Sequence, residues 1–288
     1  MSEWFFAIIL GVIEGITEFL PISSTGHLIL AGSLLGWQGE FSKIFNVVIQ
    51  IGAVLAVCWH FRKKISRIIL GLPNDSFSIK FSVNVIIACI PAVILGLLYS
   101  KHIKSILYAP IPVACALIGG GIIILLVERI KVKNSEHVIS SKTSDDKAHD
   151  IARVNHLEQL TIKDALKVGF AQCFALIPGM SRSGSTIIGG LLFGLNRRVA
   201  TEFSFFLAIP IMFGAAAHDL MEAKDMLNEE NLSILLLGTI AAFISAMFCI
   251  RWLLRYISSH DFTVFAWYRI IFGMIIIITN YAGLINWV

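Results

Sequence analysis

The chain has 288 residues, of which 57% are hydrophobic and only 15% are charged, and its mean hydropathy is +0.81. Soluble domains carry about 25% charged and about 45–50% apolar residues. The composition therefore excludes a soluble globular enzyme, a nucleic-acid-binding domain and a disordered protein. The net charge of +4 is too small to indicate a nucleic-acid partner. An all-α integral membrane protein is predicted.

The predicted elements are full-length apolar runs and two interrupted apolar regions. In chain order they are an interrupted region at 5–36, spans at about 44–61, 81–100 and 110–128, a polar segment at 134–160, a second interrupted region at 165–196, and spans at about 199–217, 232–254 and 262–284. Each span is close to the ~20 residues with which a helix crosses a bilayer. Proline, glycine and hydroxyl side chains divide each interrupted region into two helices too short to cross. This pattern predicts two re-entrant helical hairpins.

Lysine and arginine mark the loops expected in the cytoplasm, because cytoplasmic loops of membrane proteins carry an excess of both. They follow the first, third and fifth spans and the second interrupted region, whereas residues 1–42 contain neither. Six crossings then put both termini on the outer side. The segment 134–160 mixes serine, lysine and aspartate, and it is predicted to be a flexible cytoplasmic linker between residues 1–133 and 161–288.

The two halves of the chain repeat each other. A shift of 158 residues aligns Gly11 with Gly169, Glu14 with Gln172, Ser23 with Ser181, Ser24 with Arg182, Gly26 with Gly184, and Gly36 with Gly194. Each half is then one re-entrant hairpin followed by three spans. Because three crossings are an odd number, the second half is predicted to enter the membrane upside down. In such inverted repeats, interrupted helices at matching positions mark the binding site.

The first interrupted region carries Glu14 and Glu18, which are four residues apart and hence on one face of a helix. Charge is expensive at membrane depth, so two carboxylates in an apolar helix predict a function. They are candidates to hold Mg²⁺ or Ca²⁺ together with a substrate phosphate, or to act as a general base. A purely structural ion pair with Arg182 is the alternative.

Hydroxyl side chains and a histidine follow Pro21 at the start of the next short helix, namely Ser23, Ser24, Thr25 and His27. Free N–H groups at a helix N-terminus attract anions, and hydroxyls cap them. A histidine beside hydroxyls can transfer protons or activate a hydroxyl nucleophile. This half of the site is therefore predicted to supply the reacting groups.

The second interruption centres on Arg182, whose planar guanidinium is always charged and suits phosphate. Further donors surround it at another helix start, from Ser181, Ser183, Gly184 and Thr186. Carboxylates, a histidine, a hydroxyl and a phosphate-binding cation together predict metal-assisted hydrolysis of a phosphoryl group. A transporter or flippase of a lipid-linked or small phosphate-bearing anion stays open, because inverted repeats are also a transporter architecture.

Two motifs carry a resemblance to a known family. EGITEFLPISSTGH at residues 14–27 and PGMSRSGST at residues 178–186 resemble those of the undecaprenyl-diphosphate phosphatase family of the bacitracin-resistance type. The resemblance implies hydrolysis of the C55 isoprenyl diphosphate to the monophosphate and inorganic phosphate, which recycles the lipid carrier for cell-wall synthesis. It also implies a divalent cation, a bacterial inner membrane and a site facing the periplasm. Glu14 and Glu18 match the family's (E/Q)xxxE motif, His27 its essential histidine and Arg182 its phosphate-binding arginine.

Within that reaction the roles are expected to divide as follows. The phosphate-binding set is Ser23, Thr25, Ser181, Arg182, Ser183, Gly184 and Thr186. Ser24 is the candidate nucleophile with His27 or Glu18 as its base, and direct attack by water with Ser24 only as a donor is the competing version.

Two glutamines are expected to contact these site residues without touching the substrate. They are Gln50, for which an interhelical hydrogen bond is an equal alternative, and Gln172. The expected partners are a polyprenyl diphosphate, membrane lipid and, as an open option, further copies of the chain.

Overall fold

A computed structural model of the chain describes residues 3–37, 39–141, 152–222 and 229–283. The described residues form eleven α-helices and no β-strand. One isolated β-bridge joins Val154 to Leu195. The helices are α1 (Glu3–Thr17), α2 (Ser24–Leu35), α3 (Glu40–His60), α4 (Arg62–Gly71), α5 (Ser76–Leu107), α6 (Pro110–Ser141), α7 (Ile162–Cys173), α8 (Arg182–Leu192), α9 (Arg197–Glu222), α10 (Glu229–Tyr256) and α11 (Thr263–Tyr281).

Six of these helices contain segments long and apolar enough to cross a membrane, which confirms the predicted number and places of the spans. The segments are Glu40–His60, Ser76–Tyr99, Pro110–Lys131, Arg197–Met221, Asn231–Tyr256 and Thr263–Tyr281. The predicted end of the last span, residue 284, lies outside the described residues. The all-helical class follows, since a helix satisfies every backbone N–H and C=O group within one segment.

Both interrupted regions fold as two short helices. The first region gives α1 and α2, and the second gives α7 and α8. Ser23 and Ser181, which directly precede α2 and α8, have φ of 69° and 72°, and they are the only non-glycine residues with positive φ in the described part of the chain. Left-handed backbone is uncommon outside glycine and is usually held by its surroundings. The two breaks therefore share one unusual backbone geometry at positions that the 158-residue shift aligns.

The first helix of each broken pair packs on the other half of the chain. Helix α1 packs on α10, and α7 packs on α5, so the second span of each half receives the first short helix of the other. Small residues allow these close approaches: a Cβ on Gly11 would lie 2.3 Å from the carbonyl oxygen of Gly238, and one on Gly169 would lie 2.6 Å from that of Ala88. Each half of the chain thus packs on the other through its first short helix. A further contact between the halves is made by α6, from the first half, and α11, from the second.

The prediction of a flexible linker at 134–160 is wrong at both ends. Helix α6 continues to Ser141, and Val154, Leu157 and Leu160 are buried. The amide of Val154 also donates to the carbonyl of Gly194. Burying these three apolar side chains removes their surface from water, which explains why this stretch packs against the helices. Residues 142–151 lie outside the described part of the chain.

A basic segment that the sequence assigned to a loop is helical. Arg62, Lys63, Lys64 and Arg67 lie on α4, which directly follows α3. With ten residues, α4 is too short to span a membrane. Its charged residues interrupt the apolar pattern from which the other helices were predicted.

Gly11→Ala is expected to destabilise the protein by about 1–3 kcal/mol, because its Cβ would overlap backbone atoms that cannot move independently. Gly119→Ala is the matched control, since Gly119 also lies in a helix and its Cβ would meet no atom within 4 Å. Thermal unfolding in detergent measures both variants. Equal melting temperatures would contradict the close α1–α10 contact.

Candidate functional site

The two breaks meet in the interior of the protein. Arg182 Nη2 donates to Glu18 Oε1 at 2.8 Å, and Ser183 Oγ donates to the carbonyl oxygen of Leu20 at 2.8 Å. The side chains of Arg182 and Glu18 are only 12% and 8% exposed. Residues 164 positions apart in the sequence are therefore joined in one buried cluster, and the ion pair considered as an alternative is present.

Glu18 also binds the candidate nucleophile. Its second oxygen, Oε2, accepts a hydrogen bond of 2.7 Å from Ser24 Oγ, so the carboxylate lies between a hydroxyl and a guanidinium. Arg182 is held from its other side, where Nη1 donates to the carbonyl oxygen of Ser204 at 3.0 Å. Its Nε is buried and has no hydrogen-bond partner. Arg182 therefore retains one unused donor.

Glu14 lies in the last turn of α1, four residues before Glu18, which directly follows this helix, and Glu14 is fully buried. Neither of its carboxylate oxygens has a hydrogen-bond partner. An unpartnered buried carboxylate is strongly unfavourable unless a ligand or a proton compensates it. Gln172, which the repeat aligns with Glu14, is also buried, and its Nε2 donates to the carbonyl oxygen of Ala88 at 3.4 Å.

His27 is fixed through both ring nitrogens. Nδ1 lies 2.7 Å from the carbonyl oxygen of Ser23, and Nε2 lies 2.7 Å from the hydroxyl oxygen of Tyr268 on α11. The ring also stacks on Phe272 with centroids 4.2 Å apart. The hydrogen bond to Ser24 is made by Glu18, and His27 contacts a different set of groups.

The predicted phosphate-binding residues of the second break bond mostly to one another. Ser181 Oγ accepts from the amide of Gly184 at 3.0 Å and lies 3.0 Å from Ser183 Oγ. Thr186 Oγ1 lies 2.7 Å from Ser204 Oγ. These bonds cap and anchor the first turn of α8, which fixes the position of the Arg182 side chain that starts it.

The side chains of the remaining predicted residues make none of the hydrogen bonds described above. Ser23 is buried and Thr25 is half-buried at the start of α2, close in sequence to Ser24. Gln50 is half-buried in α3 and enters none of the hydrogen bonds described above, so its role stays a prediction.

Arg269 is the residue that sequence reasoning missed. It lies on α11, is 1% exposed, and uses all five N–H donors of its guanidinium on main-chain carbonyls. The acceptors, at 2.9–3.2 Å, are Pro21, Ala116, Leu117, Gly179 and Met180. They belong to both breaks and to α6, so one side chain holds three segments together.

A signal for Arg269 was present in the sequence. An arginine inside a predicted span is expensive and should have been singled out by the same argument as Arg182. The run of three glycines in α6 is its counterpart, because a Cβ on Gly120 would lie 2.1 Å from Arg269 Nη2. Ser204 and Tyr268 were missed for a similar reason, since each is one polar residue within a long apolar run.

Comparison with known proteins places this site in a described group. A family model described as "Bacitracin resistance protein BacA" matches residues 7–275, which include both breaks. A relative named "Undecaprenyl-diphosphatase 1" from Paraburkholderia xenovorans is 57% identical over 281 residues, or 98% of this chain and 96% of the relative. One named "Undecaprenyl-diphosphatase" from Ralstonia pickettii is 58% identical over 283 residues, or 98% and 97% of the two chains.

Arg269→Met is expected to destabilise the protein by about 3 kcal/mol or more, since hydrogen bonds to a charged group contribute about 1.5–3 kcal/mol each and several are lost. Arg255→Met, at the exposed end of α10, is the matched control and should change stability little. Unfolding in detergent measures both. A melting temperature unchanged by Arg269→Met would contradict the role of this side chain in joining the breaks.

Proposed function

This chain belongs to the family of the bacitracin resistance protein BacA, and from that membership we propose that it hydrolyses undecaprenyl diphosphate to undecaprenyl phosphate and inorganic phosphate. It is a multi-pass membrane enzyme whose relatives over nearly the full length carry the name undecaprenyl-diphosphatase. The observation that carries the proposal is the buried row Ser24–Glu18–Arg182. It puts a hydroxyl, a proton acceptor and a phosphate-binding cation in direct contact.

The substrate phosphate is proposed to bind at Arg182 and at the starts of the two short helices. Arg182 Nε is a buried donor without a partner, and a phosphate oxygen is the acceptor that suits it. The other proposed phosphate-binding residues lie near the two helix starts and are Ser23, Thr25, Ser181, Ser183, Gly184 and Thr186. Ser183, Gly184 and Thr186 would exchange the hydrogen bonds described above for bonds to phosphate. Positioning and charge neutralisation account for most of the catalysis of phosphoryl transfer.

Ser24 is proposed as the nucleophile and Glu18 as its general base. Ser24 Oγ attacks the terminal phosphorus, its proton passes to Glu18 Oε2, and the bond from phosphorus to the bridging oxygen breaks to release undecaprenyl phosphate. Water then attacks the phosphorus of the phosphoserine and its hydroxide part leaves as inorganic phosphate, while its other proton is released to solvent. Glu18 returns its proton to Ser24 Oγ, which restores the starting state. The 2.7 Å hydrogen bond from Ser24 to Glu18 favours Glu18 over His27 as the base.

Glu14 and Glu18 are the residues proposed to hold a divalent cation. The two unpartnered oxygens of Glu14 fit a hard cation, and Mg²⁺ is commonly bound by one or two carboxylates together with substrate phosphate. The ion would neutralise charge on the diphosphate during transfer.

The proposed setting is the bacterial inner membrane, with both termini and the site on the periplasmic side and with each broken pair as a re-entrant hairpin of an inverted repeat. The distribution of lysine and arginine supports this orientation. The shared backbone geometry at Ser23 and Ser181 supports the repeat. There the reaction would return the lipid carrier to cell-wall synthesis and confer resistance to bacitracin.

Purified protein in detergent is expected to release inorganic phosphate from undecaprenyl diphosphate, and Ser24→Ala is expected to lower the rate by about 10³-fold or more. Detergent removes vectorial transport, so release there reports chemistry. A phosphoserine at residue 24, trapped by acid quench and identified by mass spectrometry, would support the covalent route. A fully active Ser24→Ala would exclude Ser24 as the nucleophile, and no release with any divalent cation would contradict the proposed function.

Glu14→Gln is expected to raise the divalent-cation concentration for half-maximal activity by roughly 100-fold or more, because a direct ligand is lost. Its stability should not fall, since Glu14 makes no hydrogen bond that the amide would break. Glu18→Gln is the comparison, because it leaves Arg182 without its ion-pair partner and should be destabilised by about 3–5 kcal/mol. Cation titration after EDTA treatment, with melting temperatures, tests this. An unshifted titration for Glu14→Gln would contradict the ligand role.

A further inference from the structure

Tyr268 on α11 binds the histidine of the first break. Its hydroxyl oxygen lies 2.7 Å from His27 Nε2, and its ring is nearly parallel to that of His27, with centroids 5.6 Å apart. Phe272, one turn further along α11, stacks on the same imidazole. Helix α11 therefore supplies an aromatic surface and one hydroxyl to a residue that precedes it by 241 positions.

The other nitrogen determines what the Tyr268 hydroxyl does. Ser23 contributes a carbonyl oxygen, which can only accept, so His27 Nδ1 must carry a proton. In the neutral imidazole Nε2 is then the acceptor, and Tyr268 donates to it. In the imidazolium Nε2 donates, and the same hydroxyl accepts after a rotation about its C–O bond. Tyr268 can thus hold the ring in either protonation state.

The position of Tyr268 is itself restrained. Its neighbour Arg269 is bound to five carbonyls of α6 and the two breaks, which fixes this turn of α11 against the site. Ser23, which binds His27 Nδ1, directly precedes Ser24 in the break. Both hydrogen-bond partners of His27 are therefore parts of the structure that surrounds Ser24 and Arg182.

We propose that Tyr268 is a positioning residue for His27 in the hydrolysis proposed above, on which this inference rests. The hydroxyl holds the imidazole at one orientation through Nε2, and this orientation also holds Nδ1 on the carbonyl oxygen of Ser23, the residue directly before Ser24. Stacking on Tyr268 and Phe272 restricts the ring plane, and the hydrogen bond fixes its rotation within that plane.

Tyr268→Phe separates these two contributions, because it removes the hydroxyl and keeps the ring. We expect kcat to fall roughly five- to tenfold, as the loss of one hydrogen bond predicts, with KM unchanged. Tyr281→Phe, at the 79% exposed far end of the same helix, is the matched control and should leave both constants unchanged.

A second measurement follows the chemical modification of His27 and does not depend on phosphate release. Diethyl pyrocarbonate acylates an unprotonated imidazole nitrogen, and in the wild type the lone pair of Nε2 accepts from Tyr268. Modification at His27, followed by peptide mass spectrometry, should be faster in Tyr268→Phe than in the wild type or Tyr281→Phe. Exposed His260 should react equally in all three and serves as the internal standard.

The two measurements together decide the inference. A lower kcat with faster modification supports it. An unchanged kcat, a fall that lies in KM alone, or unchanged modification of His27 would each overturn it. Lack of phosphate release by the wild type would instead contradict the proposed function, and the modification rates would still report the contact of Tyr268 with His27.

Discussion

A helix that is interrupted inside an apolar protein leaves main-chain carbonyls without partners, and Arg269 is the group that satisfies them. Its five N–H donors reach carbonyls of both breaks and of α6. An unsatisfied backbone group in such surroundings is expensive by several kcal/mol, so the breaks depend on this side chain. The fold and the site share the constraint, because Gly179 and Met180, which lie just before Arg182, and Pro21, just before Ser23, are held by the same guanidinium.

Before substrate arrives, every buried charge of the site except that of Glu14 has a partner. Glu18 is paired with Arg182 and Arg269 is bound to main-chain carbonyls, whereas the fully buried Glu14 carboxyl has no partner and needs a proton or a cation to compensate it. Arg269 is committed to carbonyls, so Arg182 alone is available to an incoming anion. A diphosphate would leave the site with excess negative charge in a region of low dielectric constant. This imbalance is a physical reason, separate from any motif, for a divalent cation beside Glu14.

The sequence predicted the six spans and the two breaks because both follow from hydropathy and from residues that interrupt helices. It also selected Glu14, Glu18 and Arg182, since charge within an apolar run is rare. It left open whether Glu18 serves Arg182 or Ser24, because partners are set by how helices pack; the structure joins it to both. Arg269 and Tyr268 were not predicted as site residues, because the span that contains them was treated as one apolar run. The residues 152–160 were assigned to a linker because their three apolar side chains are too few to give a periodic pattern.

The similar geometry of the two breaks explains how one carboxylate is bound by residues that are far apart in the chain. Ser24 and Arg182 occupy aligned positions as the first residues of α2 and α8, each directly after a serine with left-handed backbone. Similar backbone geometry directs these two side chains to the place where the breaks meet, and there Glu18 accepts a hydrogen bond from each of them. The chemistry differs because the aligned residues differ: one half contributes a hydroxyl and the other a guanidinium. Similar scaffolds thus bring two different side chains to one carboxylate, and in the proposed reaction one of them would bind a phosphate and the other would attack it.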